Sequence, residues 1–91
     1  MQPAETNASE PIEPEFLDNR GLEPPMPMVR TLQAYERLAP GASLVIRNDR
    51  VPIHLFPQLL ERGARYEVEE LGDGGARVTI RKPADRDARA P

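Results

Sequence analysis

Leu17-Asp18-Asn19-Arg20-Gly21-Leu22-Glu23-Pro24-Pro25-Met26-Pro27 decides the fold, because an extended run, a tight turn and a helix start follow one another within it. Phe16-Leu17-Asp18-Asn19 reads as a short first strand. Arg20-Gly21 ends it, since glycine tolerates the backbone of a tight turn. Pro24, Pro25 and Pro27 exclude helix interior, because each lacks an amide donor and crowds the preceding turn. At a helix start the missing donors have no intrahelical partner to lose, and proline's fixed φ already suits a helix. From Pro25 to Leu38 the apolar residues Met28, Val29, Leu32, Tyr35 and Leu38 recur at helical spacing. They predict one buried face, with Arg30, Gln33, Glu36 and Arg37 outside it. Pro40-Gly41 then stops the helix.

Downstream, Leu44-Val45-Ile46 is a continuous apolar run between turn residues, the pattern of a buried central strand. Asn48 and Asp49 are candidate N-caps for a second helix over Val51 to Arg62, closed by Gly63. Pro57 lies inside that stretch. It is expected to kink the helix or to split it into a Pro52–Phe56 turn and a Pro57–Arg62 helix. Tyr66 and Val68 alternate with Glu67 and Glu69 in a half-exposed third strand. Gly72-Asp73-Gly74-Gly75 is a hairpin loop, and Val78 and Ile80 alternate with Arg77, Thr79 and Arg81 in a fourth strand. The expected architecture is an α/β two-layer sandwich of β-α-β-α-β-β order, with a four-stranded mixed sheet and two helices on one face. Its first two strands pair in parallel through a crossover helix, and its last two pair antiparallel through the hairpin. The other sheet face meets water or a partner.

The chain has 91 residues, enough for one small domain. Residues 1–14 contain three prolines, three glutamates and no basic residue. With Met1 and Ile12 as their only large apolar side chains, they cannot offset the entropy of ordering and are expected to be a disordered acidic tail. Residues 83–91 lack apolar periodicity and read as a second disordered tail, leaving 15–82 as the folded domain. From Phe16 to Lys82 nine acidic residues face ten basic ones, a net charge of +1. A near-neutral core argues against nonspecific nucleic-acid binding, which relies on clustered cations. Only Phe56 and Tyr66 stand out as stacking aromatics beyond the first helix, which argues against RNA in the same direction. There is no cysteine, so disulfides, thiolate chemistry and cysteine–zinc sites are excluded. No apolar run approaches a membrane span, and the polar, acidic start is not a signal peptide, so a cytoplasmic location is expected.

The quoted stretch resembles the signature of the TusA-like (SirA-like) sulfur carriers, which reads Leu-Asp, two residues, Gly-Leu, one residue, Cys-Pro, one residue, Pro. Leu17, Asp18, Gly21, Leu22, Pro25 and Pro27 fit it. The resemblance continues through Pro40-Gly41, Asp49, Phe56-Pro57 and Ile80-Arg81-Lys82, and so covers the whole of the expected domain. Pro24 stands where the carriers have cysteine. In them a persulfide forms there, at a helix start whose dipole and amides favour the anion; proline has neither sulfur nor amide proton. The form Gly-Leu-Glu-Pro-Pro-Met-Pro resembles an uncharacterised cysteine-less branch of that superfamily. This resemblance implies companionship with hemerythrin-type and nitrogen-oxide-related bacterial proteins.

The expected function is therefore that of a non-catalytic protein-interaction domain. Its candidate docking surface is the stiff, apolar loop of Leu22, Glu23, Pro24, Pro25 and Met26, flanked by Arg20 and Arg30. Prolines lower the entropy lost on binding, and methionine adapts to a facing surface. The alternative is a small-ligand or anion site at the first helix's N-terminus, served by Arg20, Arg47 and Arg50. The lowest-ranked reading is an enzyme or metal carrier using His54 and Met26. Met26 and Met28 with His54 suit copper(I) or haem iron in donor type. Residues two apart at a helix start face different ways, however, and no cofactor is expected. His54 beside Asp49 and Arg50 lacks a nucleophile to assist, so no catalytic residue is assigned.

Overall fold

The computed structural model describes residues 13–84. The elements are β1 (Glu15–Asp18), α1 (Met26–Arg37), β2 (Ser43–Asn48), α2 (Leu55–Glu61), β3 (Arg65–Glu70) and β4 (Ala76–Arg81). The terminal segments expected to be disordered, 1–14 and 83–91, lie outside the described residues except for 13–14 and 83–84. β1 runs parallel to β2, with Leu17 beside Ile46. β4 lies antiparallel to both β2 and β3, giving the order β1-β2-β4-β3. This is the expected mixed four-stranded sheet of an α/β sandwich, and β4 is the strand that joins the hairpin to the β-α-β unit. No helix among the described residues is long and apolar enough to cross a membrane.

Strand alternation separates two faces. Leu44, Ile46, Val78 and Ile80 are buried toward the helices. There they meet Tyr35 and Leu38 from the end of α1 and Leu55 and Leu59 from α2. Each such leucine or isoleucine contributes about 1.5–3 kcal/mol by leaving water. The residues between them face the other way. Phe16 pairs with Val45, and Val45 with Thr79, on that open face, and Phe16 is 75% exposed. Phe56 and Tyr66, the stacking aromatics read from the sequence, instead stack on each other at 4.5 Å and 6°. Phe16 is the exposed aromatic of the sheet.

α1 begins with Pro25 at its N-cap and Pro27 in its first turn, as proline's geometry requires. Val29, predicted on the buried face, is exposed at the edge, and Thr31, not predicted there, is fully buried. The C-terminal end is closed from afar: Lys82 Nζ donates to the carbonyls of Tyr35, Glu36 and Leu38 at 3.2, 3.2 and 2.9 Å.

α2 is shorter than the sequence suggested. Residues 51–54 form a turn, with Ile53 N–H donating to Val51 O and Leu55 N–H to Pro52 O. His54, not Asn48 or Asp49, is the N-cap. Pro57 is the third residue of the helix, in the first turn, where its missing amide has no intrahelical partner, so it neither kinks nor splits the helix. At the other end Gly63, at φ 76°, lets Ala64 N–H reach Leu59 O and Gly63 N–H reach Leu60 O. Those two bonds make a Schellman stop.

Candidate functional site

Because β1 and β2 are parallel neighbours, both end at the same edge of the sheet. The chain leaves that edge twice, through the loop from Arg20 to Pro25 and through the turn from Asp49 to His54. Ligands of open α/β sheets sit outside such carboxyl ends. Here a cleft of about 510 Å³ lies between the two segments, lined by Leu22, Pro24, Pro25 and Met28 on one side and by Val51, Pro52, Ile53 and His54 on the other. Gly21 N–H donates to Asp49 Oδ2 at 2.8 Å and ties the two walls together.

The deep end of the cleft is polar. Asn19, one residue past β1, is 1% exposed. Its Nδ2 donates to Thr31 Oγ1 at 3.0 Å and to Asn48 Oδ1 at 3.0 Å, with a longer contact to Pro27 O at 3.4 Å. The Thr31 hydroxyl in turn donates to Pro27 O at 2.8 Å. Its hydrogen is committed there, so Thr31 Oγ1 can only accept from Asn19, and the amide orientation of Asn19 follows. Asn19 Oδ1 is then left buried with no partner among the described residues. A buried acceptor without a donor is unfavourable by about 1–3 kcal/mol.

Arg20 grips Asp18 through Nε at 3.0 Å and Nη2 at 2.8 Å. The Arg20 side chain, aided by its backbone amide, holds the Asp18 carboxyl far below the usual carboxylate range. The same contact pushes the guanidinium up. Arg47 Nη2 donates to Asp73 Oδ2 at 3.0 Å. The Asp73 carboxyl is lowered chiefly by the Gly75 amide that donates to it, with Arg47 adding attraction. Arg30 Nη1 donates to the Asp18 carbonyl at 3.2 Å. Arg50 is exposed on the cleft wall and has no ion pair among the described residues. The N-terminus of α1 offers an anion few amides: Pro25 and Pro27 have none, and Met26 N–H donates to Glu23 O at 2.8 Å.

The expected docking residues divide between two surfaces. Leu22, Pro24 and Pro25 line the cleft, whereas Glu23 and the 46% exposed Met26 lie outside its lining. Met28 lines the cleft with His54, so the two methionines do not converge on the histidine. Sequence reasoning missed Asn19, Thr31 and Asn48, and it missed the wall made by Pro52 and Ile53. One signal was present: an asparagine ends each of the two strands predicted to pair in parallel.

A family model described as an uncharacterized conserved protein, DUF2249, matches residues 16–82. No curated protein matches the chain. Among solved structures, the crystal structure of the SirA-like protein from Desulfitobacterium hafniense is similar at 25% identity and a TM-score of 0.66, covering 75% of this chain and 96% of that one. The chain therefore has the SirA-like fold that the Leu17–Pro27 stretch suggested.

Proposed function

Since the chain belongs to the DUF2249 family of conserved proteins, we propose that it is a non-catalytic interaction domain that docks a protein partner on the cleft between the Leu22–Met28 segment and the 51–54 turn. One observation carries this reading: apolar side chains that line the cleft stand exposed on both segments, Pro24 and Pro25 on one and Ile53, at 63%, on the other. Exposed apolar groups clustered about one concavity mark interaction surfaces. The prolines of both segments hold the surface in shape before binding, which lowers the entropy lost on association.

The non-catalytic part of the proposal rests on Pro24, which occupies the position of the transferable sulfur in the carriers. Partner docking is favoured over anion binding because Arg20 and Arg47 already pair with carboxylates. A bacterial, cytoplasmic setting and a partner in redox or nitrogen-oxide metabolism are part of the proposal, and the resemblance to the cysteine-less branch motivates both.

The test is capture of partners from source cells by the tagged chain, beside Met26→Asp and Ile53→Asp. Both side chains are exposed, so each variant is expected to keep its stability within about 0.5 kcal/mol of the parent. A protein retained by the parent and lost by Ile53→Asp, whose side chain lines the cleft, supports docking there. Equal retention by all three overturns it.

A further inference from the structure

The buried end of the cleft says what kind of group the partner brings. We propose that the docking partner inserts one tryptophan side chain between the Leu22–Pro25 wall and the Pro52–Ile53 wall and donates its indole N–H to Asn19 Oδ1. This rests on the docking reading and adds the chemistry of the anchor residue.

Three properties of the cleft select that anchor. First, the one side-chain acceptor at its deep end that lacks a donor among the described residues is Asn19 Oδ1. Rotating the amide does not relieve it, because Thr31 Oγ1 and Asn48 Oδ1 both require the Nδ2 donor. A guest must therefore bring a donor. An anion brings only acceptors and would set oxygen against oxygen. Second, the walls at Leu22, Pro24, Pro25, Pro52 and Ile53 are apolar, so a guest with many polar hydrogens leaves most of them unpaired. Guanidinium has five donors and ammonium three, whereas indole has one donor, no acceptor and a large apolar body. Third, Asp49 and Arg50 stand side by side in the lining, so their opposite charges give the cleft no preference for a charged guest. A volume of about 510 Å³ accommodates a ring-sized group, as sites of roughly 300–1,000 Å³ do.

Asn19 is almost completely covered, so a lining side chain must turn aside to admit the ring. Met28 is half-buried in that lining. Its unbranched side chain with three rotatable bonds adapts most readily. Proline rings then offer flat apolar surfaces to the indole, and tryptophan is among the residues that most often anchor interfaces.

The chain contains no tryptophan, so indole fluorescence reports a probe alone. N-acetyl-tryptophan amide is titrated with the full chain, beside the analogue methylated at the indole nitrogen. The methyl group removes the donor and keeps the ring. The expected result is a blue-shifted emission for the unmethylated probe, with NMR shifts at the Asn19 side-chain amide, Leu22 and Ile53. The methylated analogue is expected to bind roughly 5- to 150-fold more weakly, the effect of leaving one buried acceptor unpaired. Equal binding of the two probes, shifts centred away from Asn19, or no binding up to the solubility limit would each overturn the assignment. A partner lost from Ile53→Asp while the probes fail refutes only the tryptophan anchor. Failure of both the capture and the probe experiments removes the docking reading as well.

Discussion

Replacing Lys82 with methionine withdraws one ammonium group from three carbonyls at once. Lys82 Nζ lies 3.2 Å from Tyr35 O, 3.2 Å from Glu36 O and 2.9 Å from Leu38 O, and 5.1 Å from the centroid of the Tyr35 ring. These carbonyls belong to the last turn and C-cap of α1, which has no following turn to supply donors. A cation at a partly buried helix C-terminus contributes up to about 2 kcal/mol, and contact with an aromatic face adds about 0.5–1 kcal/mol. Methionine keeps an apolar stem of similar length, so packing against Tyr35 is largely retained. The expected loss is about 2 kcal/mol, equivalent to a fall in Tm of roughly 8–16 °C for a domain of this size. Chemical and thermal denaturation of parent and variant measure it. Because the ammonium group is half-buried, the loss should change little with added salt, unlike that of an exposed ion pair. A loss below about 0.5 kcal/mol would refute the reasoning, by showing that water replaces Lys82 at those carbonyls without penalty.

Tyr35 Oη is buried without a partner among the described residues. Tyr35→Phe is therefore expected to be neutral or to stabilise by about 1 kcal/mol in urea denaturation, contrary to the usual effect of a core substitution. Burial raises the Tyr35 phenol above its ordinary value of 10.0. The folded state thus favours the neutral form, and stability is present below pH 10 and lost as pH rises through the folded value. In Tyr35→Phe that alkaline loss should shrink, as a pH series of denaturation curves will show. A Cβ on Gly75 would lie 2.8 Å from Asn48 O. Gly75→Ala should accordingly destabilise by about 1–3 kcal/mol, whereas Gly72→Ala, which meets nothing within 4 Å, should stay within about 0.5 kcal/mol in the same assay. Asp18 is depressed by Arg20 below its ordinary 3.8, so its contribution is present above that pH and is lost as pH falls through the folded value. Asp18→Asn should flatten the stability profile below pH 4, and an unchanged acid limb would show that the pair does not act in folding.

The candidate site was only half legible in the sequence. Its loop could be read because prolines and exposed apolar residues act locally; that Leu22, Pro24 and Pro25 face a second wall across a cleft could not. Arg20 and Arg47, grouped as anion ligands from their places at strand ends, each pair with a carboxylate. Asp73, the partner of Arg47, lies 26 residues away in the hairpin loop, and nothing in the local pattern couples the two. Thr31 looked like an ordinary helical residue, yet it is fully buried. Its hydroxyl is satisfied within its own helix turn by Pro27 O, and Asn19 arrives opposite it only when β1 docks on α1.

What the sequence by itself determined is the kind and order of the elements. Periodicity of 3.6 or 2, prolines at helix starts and glycines at stops all act over a few residues, and neighbouring side chains suffice to express them. Even α2 obeys this rule, since Pro57 belongs in a first turn and the helix simply begins at Leu55, later than Val51. Only the tertiary structure decided that β4 would enter between β2 and β3, that Asn19 would meet Asn48 across 29 positions, and that Lys82 would close a helix whose C-cap lies 44 positions earlier. These are pairings of polar groups whose partners are chosen by what packing brings within about 3 Å. Burial then makes an unmade bond unfavourable. No local pattern carries that choice, because it exists only once the sheet and the helices have excluded water from between them.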